Sequence, residues 1–163
     1  MIYGDQAVFA IEYKEAERHY ISSDGTKVLM GYGKLWMQGY FYGTNEDRLY
    51  LEGYFLGEVD DLLTAKPLDY DIDKLSADEL FDLLYDSEDY PGYCFSGGTF
   101  TDDFLGYRFK RGDQVHIVWR IRTDQKLYFS DLIHYPKAVH YCIVDLAAIS
   151  KAKAMLVAAY DLR

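Results

Sequence analysis

The chain is poor in the residues that staple, break or anchor a protein. The two cysteines, Cys94 and Cys142, could pair in principle. In a reducing compartment both are expected as free thiols, Cys142 buried in a strand. Only three prolines occur and there is no low-complexity run, which with the hydrophobic content reads as globular rather than disordered. No apolar run approaches the length of a membrane span. The opening residues Met1-Ile2-Tyr3-Gly4-Asp5 lack the basic region and apolar core of an export signal. The expected location is therefore the cytoplasm, away from membrane.

Catalytic and metal-binding motifs are also missing. None of His19, His116, His134 and His140 belongs to an HExxH pair or a Cys/His cluster. His134 and His140 flank a proline turn and read as ordinary hydrogen-bonded histidines. There is no G-x-S-x-G, no P-loop and no dinucleotide fingerprint, since Gly31-Tyr32-Gly33 lacks the third glycine. Asp69-Tyr70-Asp71-Ile72-Asp73 starts like a calcium loop. Lys74 then stands where the glycine belongs and Leu80 where the bidentate glutamate belongs, which excludes an EF-hand. The expectation is no metal and no cofactor.

Positive charge is scarce. Seventeen basic residues face 27 acidic ones, for a net charge of −10. A pI near 4.7 argues against direct binding to nucleic acid and permits a basic partner. Residues 58–103 hold fourteen acids against Lys66 and Lys74, a net of 2 − 14 = −12, so the remainder sums to +2. The negative field originates in this one segment.

Half the residues are hydrophobic and 17% are aromatic, with 17 tyrosines. A chain of 163 residues with that content is expected to form one domain, residues 1–163, around a real core. Residues 7–13 read as a first strand. Residues 28–38 read as another, with Gly31 and Gly33 suggesting a bulge or bend. A loop is expected over residues 39–47. Residues 48–56 alternate, with Leu49, Leu51, Gly53 and Phe55 on one face and Arg48, Tyr50, Glu52 and Tyr54 on the other, as in a half-buried strand. Residues 104–110 and 114–122 form a hairpin about Arg111-Gly112-Asp113-Gln114, with Gln114, His116, Arg120 and Arg122 facing water. Residues 127–133 and 139–145 are further strand candidates.

Two helices stand out. Ser76 and Glu79 make a capping box, Leu75 and Leu80 a hydrophobic staple, and Leu80, Leu83 and Leu84 a buried stripe. A second helix starts near Ser150, with Ala152, Met155, Leu156, Ala159 and Tyr160 at helical spacing. The fold class is α+β: a mostly antiparallel sheet with two or more helices, the C-terminal one packed on the sheet.

Asp78, Asp82 and Asp86 share one helix face, where each like-charge pair at i, i+4 costs a few tenths of a kcal/mol. A solvated acidic surface is one reading. The other is a partner-binding face formed by Asp69, Tyr70, Asp71, Asp73, Asp78, Asp82, Tyr85, Asp86, Glu88, Asp89 and Tyr90, since aromatic anchors ringed by charge have interface composition. A carboxylate pair in a small carbohydrate-active hydrolase is an alternative, as is a non-catalytic adaptor.

The N-terminal third resembles the bacterial immunity protein 42 family of polymorphic toxin systems. The matching residues are Gly4-Asp5, Phe9-Ala10-Ile11-Glu12, Gly33-Lys34-Leu35-Trp36-Met37-Gln38-Gly39 and Leu56-Gly57. The resemblance implies a non-enzymatic cytoplasmic antidote that binds a cognate toxin domain and blocks it. It leaves the toxin's own chemistry open. The acidic segment suits a basic toxin surface, because complementary charge speeds encounter.

Overall fold

The computed structural model describes every residue except His19, Ser87, Asp89 and Arg163; of Tyr90 it describes the backbone only. The chain begins as two antiparallel strands, β1 (Ile2–Asp5) and β2 (Phe9–Glu15). A small ribbon of β3 (Tyr20–Ile21) and β4 (Lys27–Val28) follows. Then β5 (Met30–Met37) pairs along β2, and β6 (Tyr40–Tyr42) and β7 (Leu49–Tyr50) pair on β5. These five strands form the first sheet, in the order β1-β2-β5-β6 with β7 beside β5.

Residues 51–56 depart from the sequence reading. Only Leu49–Tyr50 is strand; Leu51–Phe55 winds as a π-helical turn and runs into α1 (Leu56–Leu63). Leu51, Phe55, Val59 and Leu62 are all fully buried, at i, i+4, i+8 and i+11. Alternation and helical spacing share Leu51 and Phe55, and the longer stripe wins. Gly33 shows why Phe55 must point inward. A Cβ on Gly33 would stand 2.6 Å from the Phe55 ring, so glycine here admits a close approach within an unbulged strand.

The acidic segment carries α2 (Ala77–Tyr85) and a single helical turn, α3 (Tyr90–Tyr93). Ser76 caps α2 as its sequence predicts: its hydroxyl accepts the Glu79 amide at 3.2 Å, and the Glu79 carboxylate accepts the Ser76 amide at 2.8 Å. The second sheet has the order β10-β9-β8, built from β8 (Phe104–Arg111), β9 (Gln114–Ile121) and β10 (His140–Asp145). The β8–β9 hairpin closes at the pair Arg111 and Gln114, with Gly112 at φ 58°. The chain ends in α4 (Leu146–Ala159), which packs on β1, β2, α1 and β10. It starts earlier than Ser150, and its buried stripe is Ile149, Ala152 and Leu156. Met155 stays 43% exposed.

One apolar cluster joins the first sheet, α1, α4 and the inner face of β9 through Val115, Ile117, Trp119 and Ile121. A second lies on the other side of the β8–β9 hairpin, where Leu80, Phe81 and Leu84 of α2 meet Tyr107, Phe109 and Val118. Strand β9 is thus covered on both faces. His116, expected to face water, is buried against Phe109, and its Nδ1 lies 2.5 Å from the Tyr141 hydroxyl. His140 is stacked on Trp119 at 5.2 Å between ring centroids.

Residues 127–133, expected as a strand, form an irregular connection ending in a 3-10 turn over Ser130–Leu132. Side chains satisfy its backbone instead of a sheet. The Asp103 carboxylate accepts the Tyr128 and Phe129 amides, each at 2.9 Å. The Glu46 carboxylate accepts the amides of Ser130 at 2.8 Å and Asp131 at 2.9 Å. The Ser130 hydroxyl also donates to Glu46, and these bonds hold its carboxyl below the usual range.

Candidate functional site

Folding sorts the described acids of residues 58–103, Asp102 apart, into three groups. The first is neutralised by cations from elsewhere in the chain: Asp60 by Lys153 of α4 at 2.5 Å, Asp61 by Arg108 at 3.2 Å and Asp73 by Arg111 at 2.7 Å. The second is structural. Asp103 is fully buried beneath residues 128 and 129, and Glu79 is spent in the capping box; the neighbouring Asp102 is exposed and stands outside the three groups, its carboxyl raised above the usual range by partial desolvation and by Asp47.

Glu58 belongs with this structural group. It lies against Gly97, and its Oε2 has no hydrogen-bond partner among the described residues. Burial, reinforced by Asp61 and opposed by Arg108, pushes its carboxyl up to about 7. The native state therefore binds a proton that the unfolded chain gives up near 4.5. Stability falls as pH rises from about 4.5 to about 7. Glu58→Gln should remove that slope and stabilise the protein at pH 8 by about 1–2 kcal/mol, once partial exposure is discounted. Thermal melts of both proteins at pH 5 and pH 8 measure it; parallel pH profiles would contradict the assignment.

The third group is left on the surface. Asp69, Asp71, Asp78, Asp82, Asp86 and Glu88 are exposed, and none forms an ion pair with a described residue. Tyr70 and Tyr85 stand among them, each 53% exposed. Tyr85 also stacks on Phe81 at 6.4 Å. Asp89 lies outside the described residues, as does the Tyr90 side chain. Asp73 is exposed but is held by Arg111.

Three of the sequence-selected residues, Asp69, Tyr70 and Asp86, meet at a groove of about 520 Å³ between residues 66–70 and the C-terminal half of α2. Its apolar lining comes from Leu68, Leu83, Leu84 and Tyr93, with the Lys66 ammonium 5.1 Å from the Tyr93 ring centroid. Asp78 and Asp82 lie outside this groove. The sequence singled out neither Leu68 nor Tyr93, because the groove exists only where two separate segments pack together. Leu83 gave the one local signal: it stands at the edge of the α2 stripe, and the structure leaves it half-buried. Tyr50 and Tyr54, neighbours on one face in a strand reading, are half-buried on a strand end and a helical turn. The Tyr54 hydroxyl accepts the Thr99 amide at 2.8 Å.

The described residues present no group of three or more His, Cys, Asp or Glu side chains arranged to hold a metal ion. No helix among them is long and apolar enough to cross a membrane. Both cysteines are free, and burial pushes the Cys142 thiol up to about 12.

Comparison with known proteins adds the rest. The fold is similar to that of CdiI from Burkholderia dolosa AUO158, a crystal structure aligned over 97% of this chain and 99% of that one, with a TM-score of 0.60 and 13% identity. No curated protein sequence matches the chain. The family profile of immunity protein 42 matches residues 1–152, from β1 into α4. The protein therefore belongs to the immunity protein 42 family, and it is an antidote to a toxin rather than an enzyme.

Proposed function

We propose that this immunity protein works as a single cytoplasmic domain that binds a cognate toxin domain through the face formed by residues 69–73 and α2, and that the toxin surface received there is basic. One observation carries the reading: six exposed carboxylates within residues 69–88, Asp69, Asp71, Asp78, Asp82, Asp86 and Glu88, form no ion pair with a described residue, while Asp60, Asp61 and Asp73 of the same segment are paired. Asp78, Asp82 and Asp86 repel one another along α2 at a small stability cost, which a basic partner would reverse. Tyr70 and Tyr85 supply rigid amphipathic contact area among the charges. The net charge of −10 disfavours a nucleic-acid ligand and favours rapid encounter with a cationic protein.

The test is the variant Asp78→Asn/Asp82→Asn/Asp86→Asn against the toxin domain that the wild-type protein neutralises, at two salt concentrations. Association should slow by roughly tenfold at low salt, and the salt dependence should flatten. Folding stability should hold or rise slightly. Wild-type affinity with wild-type salt dependence would move the interface elsewhere.

A further inference from the structure

On the residue 121–137 connection the charge sign reverses. This segment borders a groove of about 460 Å³ whose lining contains Arg122, Lys126 and Lys137 and no carboxylate. Much of the remaining lining is apolar, including Leu127, Tyr128 and Ile133. Tyr128 is 70% exposed and Ile133 59% exposed, two of the largest apolar exposures on the described surface. Lys126 and Lys137 form no ion pair with a described residue; Arg122 reaches Asp124 only at 3.9 Å and donates to the Asp102 carbonyl at 2.9 Å.

Exposed apolar side chains on a floppy loop would be weak evidence of a surface in use. Here the backbone beneath them is fixed. The buried Asp103 carboxylate holds the amides of Tyr128 and Phe129, and Glu46 holds those of Ser130 and Asp131. The chain commits two carboxylates, one of them fully buried, to presenting Tyr128 outward on a connection without regular strand. A pre-ordered loop with an aromatic tip loses little entropy on binding.

We propose that this groove is a second docking face, which takes an acidic polypeptide segment carrying one large apolar side chain. The three cations would receive the acids, and the apolar wall beside Leu127 and Ile133 would receive the anchor. Charge complementarity selects an anionic occupant. The chain's overall negative charge repels a polyanion over long range far more than a short peptide with three or four acids, and the apolar lining suits an aliphatic or aromatic side chain. A polypeptide is thus favoured over nucleic acid. The inference does not depend on the acidic face, which is built from other residues.

The experiment uses the full chain, labelled with nitrogen-15, and three probes: a hexapeptide with tryptophan and leucine between two pairs of glutamates, the same peptide with lysines for the glutamates, and a ten-nucleotide oligothymidine. The acidic peptide should shift amide resonances within residues 121–137, while the basic peptide leaves them unmoved. The exposed-surface variant Lys126→Glu/Lys137→Glu/Ile133→Ser should weaken that binding at least roughly tenfold while keeping the wild-type melting temperature. Absence of shifts at residues 121–137 with the acidic peptide at millimolar concentration overturns the proposal. So does tighter binding of oligothymidine at the same residues, which would make the groove a nucleic-acid site. Equal binding of peptide by wild type and variant would place the contact elsewhere and overturn it too.

Discussion

Leu156→Asp is expected to leave little folded protein at 37 °C. Leu156 is fully buried in the main core, on the face of α4 that packs on β1, β2 and α1. The substitution removes a leucine side chain, worth about 2–5 kcal/mol at such a site, and adds an unpaired carboxylate to apolar surroundings. Even with the aspartate protonated, the combined loss is about 4–5 kcal/mol, comparable to the whole stability of many domains. Met155→Asp, one residue away and pointing outward, should cost under about 1 kcal/mol. Urea denaturation of both variants checks the pair. Similar midpoints would mean that α4 is not seated as described.

The second large effect is expected at Asp103→Ala. This residue counts toward the acidic segment by sequence, but its side chain is buried and accepts two backbone amides. Removing it leaves the amides of Tyr128 and Phe129 without their acceptor. The cost should be about 2–4 kcal/mol, since charge-assisted bonds are lost and donors are stranded. The Arg122 amide, which donates to the Asp103 carbonyl at 2.7 Å, keeps its partner in the variant. If the toxin binds the α2 face as proposed, its affinity should be unchanged under conditions where the variant stays folded, because no exposed charge is lost. Calorimetry measures the first quantity and a binding titration the second. A loss of affinity without a loss of stability would show that Asp103 acts in recognition rather than as a clamp.

Features written in adjacent residues were legible before the structure. The Ser76/Glu79 capping box and the β8–β9 hairpin depend on side chains within a few positions of one another, so local chemistry fixes them. The α+β class followed from the same signals. Residues 51–56 were not legible in this way. Leu51 and Phe55 satisfy a strand and a helix equally, and Phe55 becomes helical by packing where Gly33 of β5 leaves room. His116 departs from the alternation for a related reason: α2 arrives from another part of the chain and covers that face of β9 around Val118, while Phe109 and Tyr141 of the flanking strands enclose His116.

The candidate site divides along the same line. The sequence alone established that net negative charge is confined to residues 58–103, because charge is additive and needs no fold to count. Tertiary structure decided which of those acids remain available to a partner. Lys153, Arg108 and Arg111 lie 38 to 93 positions from the aspartates they meet, and Asp103 turns inward to hold backbone 25 and 26 residues away. An ion pair or a buried hydrogen bond acts over a few ångströms in space, and only the fold sets that distance.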